Sequence, residues 1–225
     1  MNEYGLQVKI PSASYIYRVS HRVMEGGCQV DHGPRLVTLD GFTMDTYPVT
    51  NAQYKKFMDE TGYVPKDNAN FLRYWTNGMP SDELLTRAVV WVSPTDAKAY
   101  AEWRNCRLPT EEQWQFAAGG PQKLKWPWGN EFVENMCNSE EGASPFGVQR
   151  MCGNVWEWTT PIIDDGHRQF ALLRGGCSYR AAHFWHTDGG PRPTNFHLEF
   201  PLLNEGLNRC ETVGFRCVGK GAAND

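Results

Sequence analysis

The sequence predicts a single α+β domain with little regular secondary structure, and three observations predict it. The 225 residues suit one large domain or two small ones and can bury a substantial core. The 22 glycines, 14 prolines and 9 tryptophans describe a chain rich in turns and irregular loops, held down by large flat side chains. Short capped helices and short apolar strands occur with no internal repeat, low-complexity segment or linker to divide them.

Three helices are marked by their caps. "VTNAQYKKFMDETG" carries a capping box, Thr50 with Gln53, and Gly62 stops it. "SPTDAKAYAEW" opens with Ser93 as N-cap and Pro94 at the first helical position, and its apolar face carries Ala97, Tyr100, Ala101 and Trp103. "PTEEQWQFAAGG" repeats the box with Thr110 and Gln113 and ends at Gly119 and Gly120. "RLVTLDGFTMDTYPV" alternates apolar and polar residues around a turn, as strands do. "AVVWV", "FALLRGG" and "VGFRCV" read as buried strands, and the stretch from Gly120 to "FALLRGG" reads mostly as loop.

The formal net charge of -4 argues against a nucleic-acid partner, which wants a basic face. No apolar run is long enough to span a bilayer, so no membrane partner is expected. The stretch "MNEYGLQVKIPSASYIYRVSHRV" lacks a signal peptide's continuous apolar core, and a cytoplasmic protein is expected. Seven cysteines cannot all pair within one chain, and none form a CxxC motif. Buried free thiols are the expectation, since free cysteine behaves as a small hydrophobe.

In order along the chain stand "GFTMDTYPVTNAQYKKFM", "VVWVSPTDAKAYAEW", "RLPTEEQWQFAA", "WPWGN", "CGNVWEWT", "LLRGG" and "VGFRC". Each is weak alone; seven in this order resemble the formylglycine-generating enzyme family, also called sulfatase-modifying factors, from about Leu36 to Val218. The resemblance implies an irregular α+β fold related to C-type lectins, with one domain over 1–225. It also implies structural roles: Arg107 and Glu111 as a buried charge pair beside a helix cap, and Trp114, Trp156 and Trp158 as core aromatics. The family includes oxidoreductases, inactive paralogues and binding proteins, so its fold does not fix a function.

The chain departs from that pattern at its chemistry. The generating enzymes oxidise a substrate cysteine with oxygen and a copper ion held by two cysteines shortly after the "RGG" strand, soft ligands for a soft ion. Here Cys177 follows the glycines, and the family's two positions fall near Ala181 and His186, neither of them cysteine. The sequence therefore argues against formylglycine generation. A family calcium site uses a side-chain oxygen three residues before the "GNVWEW" glycine together with the Glu of that motif. Here these positions are Arg150 and Glu157. Arginine has no acceptor to offer a cation, so calcium is not expected, and Arg150 is predicted to pair with Glu157 in its place. Asn138 stands as a relic of a second calcium site.

Two functions from different classes follow. In the first, the cleft around "RGG" binds a peptide, a protein or a small molecule such as a sugar. Arg174, Cys177, Tyr179, Trp185, Asp188, Arg192, His197 and Trp75 are its candidate contacts, with Trp185 and Arg192 lining the largest pocket near "RGG". Phe71 and Tyr74 join Trp75 in a second aromatic cluster. In the second, the chain is a metal-dependent oxidoreductase that uses oxygen, with iron or copper on His183, His186 and His197 beside Asp188, since two histidines and a carboxylate suit non-haem iron.

Overall fold

The computed structural model describes residues 5–19, 21–23, 32–179 and 189–219, with the side chains of 21–23 excepted. Its elements run β1 (Gln7–Ile10), β2 (Ala13–Tyr17), β3 (His21–Val23), β4 (Arg35–Leu39), β5 (Phe42–Asp45), α1 (Asn51–Thr61), α2 (Pro94–Trp103), β6 (Cys106–Arg107), α3 (Glu111–Gly119), β7 (Trp156–Trp158), β8 (Ile163–Asp164), β9 (Gln169–Arg174), β10 (Phe196–Leu202), α4 (Glu205–Asn208), β11 (Val213–Gly214) and β12 (Val218–Gly219). This is the mixed, loop-rich α+β architecture the composition predicts.

The helices form where their caps place them. Thr50, Ser93 and Thr110 each accept from the backbone amide three residues on, while the side chains of Gln53, Asp96 and Gln113 return the bond. Gly62 ends α1 in the left-handed region, and Gly120 ends α3. α3 is buried nearly all round, which marks it as a central element rather than a surface one.

The strands form three sheets: β1-β5-β12-β6; β11-β7-β9-β10-β3, with β8 on β9; and the pair β2-β4. β4 and β5 flank the predicted turn but do not pair with each other; β4 pairs with β2, and β5 with β1 and β12. "AVVWV" is not a strand. Only Ala88 makes a bridge, to Thr50, and Trp91 turns the chain with φ 57°. "VGFRCV" splits into β11 and β12, because the residues between them send Arg216 inward. The Gly120–Phe170 stretch, read mostly as loop, contains β7, which joins β11 to β9.

Among the described residues, two large apolar cores fill the molecule, with a small cluster of Phe170 and Leu172 beside them. One gathers α1, α2 and the inner faces of β7, β9 and β10 around Tyr54, Phe57, Tyr100, Trp158, Leu198 and Phe215. The other packs α3 against β1, β2 and β5 through Trp114, Phe116, Tyr17 and Met44. Trp114, Trp156 and Trp158 are all buried, in the structural roles the resemblance implies. Ion pairs with arginine lie within this interior, among them Asp45 with Arg104, Asp96 with Arg209, Glu157 with Arg216, and Glu111 with Arg174. The last three arginines also donate to main-chain oxygens: Arg209 to Asp67 and Ala69, Arg216 to Asp45, Thr46 and Gln149, and Arg174 to Thr194 and Phe196. Such satisfaction is what a desolvated guanidinium requires.

Two sequence expectations are corrected here. Arg107 is exposed and bonds to Gln113 and the Leu108 carbonyl; Glu111 is buried and takes Arg174 instead. Arg150 does not pair with Glu157. Both Glu157 oxygens accept from Arg216 at 2.7 Å, and the Trp114 indole donates to one of them at 2.8 Å. Arg216 reaches Glu157 through the parallel pairing of β11 with β7, whose register sets Gly214 opposite Glu157.

Candidate functional site

The turn that follows β9 organises the candidate site. Gly175 and Gly176 have φ of 94° and 73°. A Cβ on Gly175 would lie 2.3 Å from the Met151 carbonyl oxygen, and one on Gly176 would lie 2.4 Å from that of Gly190. Only glycine lets these backbones meet so closely. Gly153 and Arg192 both donate to the Gly175 carbonyl, and Ser178 donates to that of Asn154. The 150–154 loop is thereby fixed beside the start of the chain after "RGG".

Between these segments lies a hollow of about 550 Å³, with Tyr74 and Trp91 among its walls and Arg87, Arg150, Asn154 and Ser178 among its polar groups. A smaller hollow of about 240 Å³ adjoins it, and Arg150 and Asn154 line both. Arg150 and Trp91 have φ of 55° and 57°. A bulky residue in the left-handed region is strained, and strain of this kind gathers at binding sites. The Trp91 backbone is held there from both sides, its amide on the Cys210 carbonyl and its own carbonyl on the Leu72 amide. The Arg150 guanidinium lies 5.3 Å from the Tyr47 ring centroid, and its buried Nε has no hydrogen-bond partner.

The predicted contacts distribute differently. Arg174 is completely buried, with Glu111 and two carbonyls, over the Trp114 ring. It belongs to the interior and is not among the residues lining the hollow beside "RGG". Trp75 is a core residue whose indole donates to Asn51. Phe71 packs on the same core, and Tyr74 alone of that aromatic cluster reaches the hollow. Cys177 is buried, while Tyr179 is exposed. Arg192 is half-buried over the Phe196 ring, at 4.7 Å, and does not line the hollow beside "RGG". Trp185, Asp188, His183 and His186 lie outside the described residues. A larger hollow of about 1070 Å³ lies away from "RGG", against β1, β4 and β5. Its Arg107 and Gln113 are already bonded to each other.

His197 is buried on β10, beside two residues that the sequence did not single out. Its Nδ1 lies 2.5 Å from Glu111 Oε1. Its ring centroid is 5.0 Å from that of His32, and ligand atoms of His32, His197 and Glu199 lie within 4.8 Å of one another. Burial works to raise the Glu111 carboxyl, but Arg174 and the bonded His197 outweigh it and hold the group at about 2. The alternation of "FHLEF" was the available signal, since it places His197 and Glu199 on one face of a strand.

The residues do not fit the metals of the resemblance. Neither 181 nor 186 is a cysteine, and both oxygens of Glu157 are engaged by Arg216. Among the described residues, no helix is long and apolar enough to cross a membrane.

Comparison with known proteins places the fold. The chain is 30% identical over 245 residues to the inactive C-alpha-formylglycine-generating enzyme 2 of Mus musculus, covering 83% of this chain and 78% of that protein. It is 29% identical over 187 residues to the formylglycine-generating enzyme of the same organism, covering 56% of this chain and 50% of that one. PvdO from Pseudomonas aeruginosa superposes with a TM-score of 0.68 at 19% identity, covering 97% of this chain and 95% of that one. A family description, the sulfatase-modifying factor enzyme 1-like domain, matches residues 7–142 and 137–220, and the chain belongs to that family.

Proposed function

We propose that this chain is a divergent family member that recognises a peptide, protein or small ligand in the hollow beside "RGG", with Arg150 as the polar anchor. One observation carries the reading. A strained arginine, its Nε buried and unpartnered, opens onto a hollow of about 550 Å³ that also presents Arg87, Asn154 and Ser178 and has aromatic walls. A carboxylate or phosphate is the natural complement of a guanidinium, because planar donors match it. The aromatic rings supply apolar contact. Glu211 on the rim sets orientation by repelling a second negative group.

The test is a thermal-shift and calorimetric screen of short peptides and small carboxylates. Ligands that bind are expected to lose about tenfold or more in affinity on Arg150→Met, since a charge-assisted hydrogen bond contributes about 1.5–3 kcal/mol. Absence of any binder, or binders indifferent to Arg150→Met, rejects the reading. The chain is also expected to leave a Cys-x-Pro-x-Arg peptide unconverted when incubated with copper and oxygen. Mass spectrometry of the peptide checks this, and catalytic aldehyde formation would overturn it.

A further inference from the structure

We propose that His32, His197 and Glu199 form a binding site for one divalent transition-metal ion of the zinc or ferrous class, separate from the hollow beside "RGG". The argument starts from β10. Phe196, Leu198 and Phe200 face the first apolar core. His197 and Glu199 alternate with them and share the opposite face, yet they are 0% and 2% exposed. Burying an imidazole is costly unless both of its ring nitrogens meet something polar. His32, from the segment that precedes β4, lies over that face and brings a second imidazole.

The orientation of His197 points to an ion. Its Nδ1 is engaged by Glu111, which is itself anchored by Arg174 at 3.2 Å. This leaves Nε2 as the outward atom, and it is buried with no hydrogen-bond partner. A carboxylate on one imidazole nitrogen fixes the tautomer and ring plane, and raises the basicity of the other nitrogen toward a metal. Glu111 therefore acts as the positioning residue of the site.

The donor set selects the class of ion. Two imidazoles and one carboxylate suit zinc or ferrous iron. Calcium and magnesium prefer all-oxygen shells, and cuprous copper prefers thiolates. Ligands about 2.1 Å from a tetrahedral centre stand roughly 3.4 Å apart. The three donors lie within 4.8 Å of one another, so small side-chain rotations bring all three to one ion and leave a fourth position for water. The ion would tie the segment before β4 to the central sheet.

The probe is the metal alone. Full-length protein is stripped with a chelator and titrated with zinc sulfate by calorimetry, and with cobalt(II) by absorption. One equivalent is expected to bind, raising the melting temperature and giving the d–d bands of a low-coordinate nitrogen–oxygen site. His32→Ala and Glu199→Gln are each expected to weaken binding about tenfold or more, and Glu111→Gln to weaken it about tenfold through His197. His197→Ala removes a buried side chain and can compromise folding, so the half-buried His32 carries the test. Failure of zinc, cobalt and ferrous iron to bind the stripped protein overturns the site. So does binding of unchanged affinity in a His32→Ala/Glu199→Gln double variant, which would place the ion elsewhere.

Discussion

Glu157 would be a stranded charge without Arg216. Both oxygens of this fully buried carboxylate depend on that guanidinium. Arg216→Met is expected to destabilise the protein by about 3–5 kcal/mol, the usual consequence of leaving one member of a buried pair. Arg150→Asn, beside the hollow, should shift stability by less than about 1 kcal/mol. Urea unfolding of both variants checks the order, and equal losses would contradict the assignment. The sequence could supply the acid but not its partner. Arg150 is seven residues from Glu157 and Arg216 is 59 away, and only the β7–β11 register decides between them. Thiols follow the same logic. Burial pushes Cys152 and Cys217 well above the ordinary cysteine value. Neither is expected to take iodoacetamide at pH 8 in the native protein, while both should react in urea. Site-resolved mass spectrometry reads this, and native labelling of either would contradict the burial.

At the scale of elements, what is local in cause was legible in sequence. The capping boxes of α1 and α3 needed only residues three apart, the Ser93 cap of α2 only its neighbour Pro94, and each helix begins where its cap stands. Strands depend on partners. "AVVWV" has the composition of a buried strand, and Val89 and Val92 are indeed 0% exposed, but the turn at Trp91 denies it a ladder. β7 escaped because three residues between loops carry too little pattern to read. The candidate site divides the same way. "RGG" marked its location, whereas Arg150, Trp91 and Asn154 meet there through tertiary contacts no spacing encodes. Gly175→Ala is expected to destabilise the protein substantially and to disturb ligand binding, since its Cβ would collide with the Met151 carbonyl at 2.3 Å. Thr110→Ala, which removes only the cap of α3, should cost about 1 kcal/mol and leave binding intact. Equal effects of the two substitutions on binding would show that the turn does not shape the hollow.

On the scale of the whole molecule, the two apolar cores are not independent units. Trp114 of the second core donates to Glu157, whose strand packs in the first, and Arg216 joins β11 to the loop at Gln149. One cooperative unfolding transition is therefore expected, with equal calorimetric and van't Hoff enthalpies; two resolved heat-capacity peaks would disprove the coupling. The buried arginines carry a further consequence for how such a protein can change over generations. Arg209 grips the loop at 67–69 through two main-chain oxygens, and Arg216 grips the segments at 45–46 and 149 in the same way. Every amino acid presents that oxygen, whatever its side chain. The attachment of these loops is thus written in the arginines and is indifferent to most of the letters in the loops themselves. At the 67–69 loop, where the chain meets solvent, side chains can drift by mutation while the scaffold keeps its shape.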